Sequence, residues 1–168
     1  MIDRERLLKT FVDLVRVDSP SGREAALRAG LEPRLRALGV ETAVDATSNL
    51  VGRLPGQGEP LLLSAHMDTV PGRGIQPVVR EGVVYSDGTT ILGADDKSGI
   101  AVILEVLTLL QEKGLSSEQR PAIEIALTVG EEVGCGVKHH VFRAQQRQVV
   151  ALACVVGALH GWVNGATL

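Results

Sequence analysis

Histidine and carboxylate side chains occur as close pairs at three boundaries of apolar segments. The pairs are His66 with Asp68, Asp95 with Asp96, and Glu131 with Glu132. Imidazole nitrogens and carboxylate oxygens bind divalent metals, and a carboxylate that is not a ligand can take a proton from water. If the fold brings the three pairs together, they can form a hydrolytic metal centre.

Each pair also has a structural interpretation that involves no metal. A histidine and an aspartate at a strand end are common in loops and caps. The second pair precedes a long apolar segment, which is typical of a helix N-cap with a favourable macrodipole interaction. Adjacent glutamates, as in the third pair, are usually solvated.

In the functional interpretation, the His66 imidazole binds a divalent metal, and Asp68 holds the other ring nitrogen and so fixes the tautomer. One carboxylate of the second pair bridges two metals, since each of its oxygens can hold a cation. The third pair directly follows an apolar strand, and adjacent side chains on an extended segment point in opposite directions. One of these glutamates can therefore bind metal while the other faces a water molecule.

The apolar periodicity predicts helices and strands that alternate along the chain. Helices are predicted at 3–17, from the capping-box pair Ser21 and Glu24 to Gly39, and at 99–113. Strands are predicted at 40–47, 50–54, 61–65, 82–85 and 122–129. This alternation indicates an α/β fold with a mostly parallel sheet flanked by helices. Ligands of such sheets bind outside the carboxyl ends of the strands, which is where the histidine and the glutamates are expected.

The composition narrows the class of protein. Apolar residues make up 45% and aromatic residues 2% of the 168 residues, so the core must consist of Leu, Val, Ile and Ala. Scarce aromatics and a net charge of −3 argue against nucleic-acid binding. The apolar segment 149–159 is too short to span a membrane, and the charged start of the chain is unlike a signal peptide. We expect a soluble, cytoplasmic protein with no nucleic-acid or membrane partner.

Four segments resemble those of a known enzyme family and occur in its order. They are VDSPSGRE (17–24), SAHMDTVPG (64–72), SDGTTILGADDKSGIA (86–101) and TVGEEVG (128–134). Together they resemble the di-zinc metallopeptidase family of peptidase T, carboxypeptidase G, aminoacylase and succinyl-diaminopimelate desuccinylase. The third segment is most similar to the peptidase T branch. The fold that this resemblance implies is a truncated zinc-exopeptidase-like α/β domain.

The resemblance also implies a role for each candidate residue. His66 would bind one metal, Asp95 would bridge both metals, and Glu132 would bind the other. Asp68 would orient His66, and Glu131 would be the general base. The peptide bond after the bridging aspartate would be cis. The implied cofactors are two divalent ions, zinc first, with cobalt or manganese as alternatives.

The implied reaction is metal-dependent hydrolysis of the N-terminal peptide bond of short peptides, as in a tripeptide aminopeptidase. Two alternatives stay open. One is a non-catalytic fragment or degraded paralogue that binds metal weakly at most, and the other is an N-acyl amino acid amidohydrolase of the same family.

The chain also departs from the family pattern. No Asp or Glu occurs in the 36 residues after Glu132, where the family has a further acidic ligand. We expect residues 1–138 to be the N-terminal part of the catalytic domain and 139–168 to be a divergent tail, with a frameshift as one explanation. The lid and dimerisation domain, through which a full-length relative could form a homodimer, is expected to be absent, and activity is expected to be impaired.

Overall fold

The structure, a computed structural model, describes residues 1–134. The helices in this range are α1 (Arg4–Val15), α2 (Ala25–Ala37) and α3 (Lys97–Glu112). The strands are β1 (Glu41–Val44), β2 (Leu50–Leu54), β3 (Gln57–His66), β4 (Pro77–Arg80), β5 (Val83–Ser86) and β6 (Pro121–Thr128). The expected tail at 139–168 lies outside the described residues.

Four of the strands form one sheet in the order β1-β2-β6-β3. β3 and β6 are parallel, whereas β1 with β2 and β2 with β6 are antiparallel. The predicted α/β class with helices packed on a sheet is confirmed, but within residues 1–134 the sheet is mixed rather than mostly parallel. The reason is local for β1 and β2, because the short turn between them can join only antiparallel neighbours.

The register of β6 determines which residues meet at the sheet edge. His66, the last residue of β3, lies opposite Thr128, the last residue of β6. The loops that leave these two strands therefore emerge at the same edge. β2 runs the other way and begins opposite Leu127, so Asn49, just before β2, lies at this edge as well.

The core is aliphatic, as the composition predicts. α2 buries Leu27, Leu31 and Leu35, which are spaced by four residues along one face. α2 packs on β1 and β2, α3 packs on β3, and α1 packs on α3. In the part of the chain that the structure describes, no helix combines the length and hydrophobicity that a membrane span requires.

One local prediction is wrong, and one strand has no counterpart among the predictions. α2 begins at Ala25 and has no side-chain cap, so Ser21 and Glu24 do not form the predicted capping box. β4 has no counterpart among the predicted strands, and it pairs with β5 in a separate two-stranded sheet. The capping-box pattern fails because the side chains of Ser21 and Glu24 bind groups outside α2. The strand pattern fails for β4 because it belongs to a hairpin that is not part of the main sheet.

Two helical glycines are expected to respond to alanine with opposite signs. Gly30 is exposed in α2, and a Cβ there would meet nothing within 4 Å. At Gly99 in α3, a Cβ would overlap Asp96 Oδ1, which accepts a hydrogen bond from the Gly99 amide at 3.1 Å. Gly30→Ala should raise the free energy of unfolding by about 0.5–1 kcal/mol, and Gly99→Ala should lower it by about 1–3 kcal/mol. Urea unfolding of both variants measures this, and the same sign for both would contradict the packing around Asp96.

Candidate metal centre

Three of the predicted site residues meet at the carboxyl edge of the sheet. His66 ends β3, Asp95 lies in the loop before α3, and Glu132 lies in the turn after β6. One donor atom from each of them lies within 4.8 Å of the other two. His66 Nε2 is 3.2 Å from Asp95 Oδ1. The fold thus unites residues that are up to 66 positions apart in the sequence.

The donor set fits a divalent cation. One imidazole nitrogen and two carboxylate oxygens are ordinary ligands of zinc, and cobalt or manganese can use the same atoms. The imidazole is buried, and the Asp95 carboxylate is partly buried. Two carboxylates this close repel each other, and a cation between them would remove that repulsion.

The orientation of the His66 ring is fixed through its other nitrogen. Nδ1 lies 2.8 Å from the backbone carbonyl oxygen of Asp68, so a proton on Nδ1 donates to that oxygen. When the ring is neutral, this tautomer leaves a lone pair on Nε2, which faces Asp95. The sequence predicts the Asp68 carboxylate in this place, but Oδ1 is farther away, at 3.5 Å.

The Asp68 carboxylate makes other contacts. It is fully buried and accepts hydrogen bonds from Ser21 Oγ at 2.7 Å and from the amides of Glu131 and Glu132 at 3.0 Å each. Burial alone raises its pKa, but these bonds and the interaction with His66 outweigh burial and lower the pKa of Asp68 to about 2. Asp68 is therefore a permanent anion that ties the glutamate turn to the end of β3.

Glu131 and Glu132 lie in a turn rather than on an extended segment, so the expected opposite directions of their side chains are not found. Both carboxylates approach His66. Glu131 Oε2 lies 3.8 Å from His66 Nε2, and the Glu131 side chain is 43% exposed. Glu132 is less exposed, and burial, together with neighbouring carboxylates, raises its pKa. The Glu131 carboxylate is therefore accessible to solvent.

Asp95 and Asp96 divide the two roles that their sequence position suggests. Asp96 is the N-cap of α3 and accepts a hydrogen bond from the Gly99 amide, as the capping interpretation expects. Asp95 is directed toward His66 instead. The peptide bond between the two aspartates is cis, in agreement with the resemblance.

Sequence reasoning missed three polar side chains around the site. Ser21 binds Asp68, while Glu24 and Asn49 bind backbone amides just before Glu131. Ser21 and Glu24 belong to the segment 17–24, which carries part of the family resemblance although the resemblance assigns it no role. The resemblance of this segment to the family is the sequence signal that could have marked Ser21 and Glu24 as part of the site.

Zinc affinity is expected to increase with pH. Burial alone lowers the pKa of His66, but contacts with Asp68 and the charges of Asp96 and Asp95 outweigh it and raise the pKa to about 9. A metal needs the neutral imidazole, so below pH 9 a proton competes with it. Affinity should fall by up to about tenfold for each pH unit below 9. Calorimetry at pH 7 in buffers of different ionisation enthalpy should show about one proton released per zinc, and a pH-independent affinity would contradict this.

Several known proteins resemble this chain in fold and in sequence. A tripeptidase from Staphylococcus aureus is 40% identical with a TM-score of 0.75, over 80% of this chain and 38% of its own. Aminopeptidase PepT from Bacillus cereus is 41% identical with a TM-score of 0.74, over 79% and 38%. An uncharacterized protein from Bacillus subtilis is 39% identical over 80% of this chain and 38% of its own.

The chain therefore spans well under half the length of these relatives. The family model described as peptidase family M28 matches residues 49–157, which is more than half of the chain and includes every candidate ligand. The chain belongs to peptidase family M28.

Proposed function

We propose that this chain carries the metal-binding part of an exopeptidase that hydrolyses the N-terminal peptide bond of short peptides. The observation that carries the proposal is the cluster of His66, Asp95 and Glu132 donor atoms within 4.8 Å, with the Glu131 carboxylate beside it. The tripeptidase and aminopeptidase relatives support the substrate class.

In this proposal His66, Asp95 and Glu132 are metal ligands. When bound, the metal polarises the peptide carbonyl and makes water more acidic. Asp95 would be the ligand shared with a second metal, because its carboxylate offers two oxygens. The backbone carbonyl of Asp68 accepts the Nδ1 proton of His66 and so keeps the ring in the tautomer in which Nε2 can bind metal.

Glu131 is the proposed general base. Its Oε2 takes a proton from the attacking water, the water oxygen bonds to the carbonyl carbon, and the carbon–nitrogen bond breaks. Glu131 then gives the proton to the leaving nitrogen, so the carboxylate returns to its starting state. Its solvent exposure fits this role, since the base must reach both water and substrate.

The test uses the full 168-residue chain, stripped with a chelator and reloaded with zinc. We expect it to release the N-terminal amino acid from an unblocked tripeptide only after reloading, and to leave the corresponding N-acetyl amino acid intact. Glu131→Gln, prepared in the same way, controls for contaminating peptidases. Cleavage of the acylated amino acid alone would replace the proposal with an amidohydrolase. Zinc binding without any hydrolysis would leave a non-catalytic metal-binding fragment.

The domain assignment is part of the proposal. Residues 1–138 are the N-terminal part of the catalytic domain, and 139–168 are a divergent tail. Sequencing the gene from codon 130 onward and translating it in all three frames tests this. A frame that encodes an acidic residue at the end of the next strand would support the frameshift explanation. The absence of such a residue from all three frames would contradict it.

A further inference from the structure

The turn that carries the glutamates is held by its backbone amides. Four consecutive N–H groups, those of residues 129–132, each donate to a side-chain oxygen from elsewhere in the fold. Asn49 Oδ1 accepts the first at 2.9 Å and Glu24 Oε1 accepts the second at 3.3 Å. The Asp68 carboxylate accepts the other two at 3.0 Å each. These bonds replace the strand pairing that stops at the end of β6.

The three acceptors are buried and come from different elements. Glu24 precedes α2, Asn49 precedes β2, and Asp68 follows β3; they are 6%, 1% and 0% exposed. A buried carboxylate is costly unless its oxygens accept hydrogen bonds. Glu24 Oε1 accepts two, from the amides of Gly22 and Gly130. Its burial is therefore tied to the position of the turn.

We propose that Glu24 is a positioning residue for the metal centre. By holding the Gly130 amide, it sets where the Glu132 carboxylate lies relative to His66 and Asp95. Asn49 performs the same task one residue earlier. The inference rests on the proposed function to the extent that it takes these three residues as metal ligands.

The physical reason is the short distance along the chain between the Gly130 amide, which Glu24 holds, and the ligand Glu132. Gly130 is two residues from Glu132, so a shift of its amide moves the ligand oxygen directly. Metal–ligand distances tolerate deviations of only about 0.2 Å. Without the Glu24 oxygen, the Gly130 amide would lose its protein acceptor, and the turn would keep only the bonds to Asn49 and Asp68.

A matched control is available in α3, at a buried glutamate that bonds to α1 rather than to the glutamate turn. Glu105 in α3 is 5% exposed, close to the value for Glu24. It accepts hydrogen bonds from Arg6 Nε at 2.7 Å and from the Asp3 amide at 3.0 Å, and so ties the start of α1 to α3. Its removal disturbs the fold without touching the glutamate turn.

The experiment titrates the full 168-residue chain with Co²⁺ and records the visible absorption, which reports ligand geometry without requiring hydrolysis. Glu24→Ala should lower Co²⁺ affinity about 10–100-fold and change the spectrum. Glu24→Gln keeps an oxygen acceptor and should restore both. Glu105→Ala should lower thermal stability but keep the wild-type affinity and spectrum.

Unchanged Co²⁺ binding in Glu24→Ala would overturn the proposal, as would an equal loss in Glu105→Ala. If Glu24→Ala does not fold, Glu24→Asp decides, because the shortened carboxylate should weaken Co²⁺ binding in a folded protein. A wild-type chain that binds Co²⁺ but hydrolyses no peptide contradicts the proposed reaction alone. A wild-type chain without a Co²⁺ spectrum contradicts the metal centre and this inference together.

Discussion

Under the proposed reaction, Glu131→Gln is expected to hydrolyse tripeptides about 10²–10⁴-fold more slowly than the wild-type chain, while its zinc affinity stays unchanged. Glutamine has the shape of glutamate but cannot take a proton from water. The Glu131 carboxylate approaches His66 Nε2 to 3.8 Å and is 43% exposed, so it can reach a water at the metal without being needed as a ligand. Initial rates of the zinc-loaded protein and competition with a zinc chelator measure the two quantities separately.

Glu132→Gln is the matched control, because it changes the adjacent residue in the same way. Its carboxylate belongs to the donor cluster, so this variant should lose zinc affinity and hydrolysis together. The two variants thus separate a base from a ligand within one turn. An equal loss of zinc affinity in Glu131→Gln would make Glu131 a ligand and remove it as the base.

His66→Ala will bind zinc more than about a hundredfold more weakly than the wild-type chain. The substitution removes the one nitrogen donor of the cluster and leaves two carboxylates, fewer than the three protein ligands that catalytic zinc usually has. Calorimetric titration at pH 8 measures the affinity, and circular dichroism in chelator confirms that the variant folds.

The other histidines of the chain provide the control for this substitution. A variant in which His139, His140 and His160 are all replaced by alanine retains His66 and should keep the tight site. If that variant loses the affinity instead, the principal zinc site does not include His66. This result would leave the His66 ring as a structural group at the end of β3.

The candidate site could be located from sequence because its residues directly adjoin apolar segments. His66 follows the last buried residues of β3, and Glu132 follows β6 by four residues. A buried strand is easily recognised, and parallel neighbours end at the same edge, so their flanking residues must meet. Asp95 could be identified for the same reason, since it lies just before a long apolar helix.

The environment of the site could not be predicted in the same way. Ser21 and Glu24 have the spacing of a capping box, and local pattern alone favours that interpretation. In the fold, Ser21 binds Asp68 and Glu24 binds Gly130, partners 47 and 106 residues away. Only tertiary packing brings these groups together, so the capping-box pattern does not predict which groups the two side chains bind.

The antiparallel direction of β2 could not be predicted from the sequence for a related reason. Alternating helices and strands favour parallel neighbours, but β6 inserts between β2 and β3, and β2 runs against it. This arrangement depends on a pairing between residues more than 70 positions apart, such as Leu50 with Leu127. The antiparallel β2 is also what delivers Asn49 to the site.

The amides of residues 129–132 have a consequence for hydrogen exchange. They lie beyond the last residue of β6, yet each is bonded to a side chain that is itself buried. Their protons exchange with solvent when the hydrogen bonds to those side chains break. These bonds can break while the strands of the sheet stay paired. The exchange rates at these four positions therefore measure how often the glutamate turn opens, separately from unfolding of the domain.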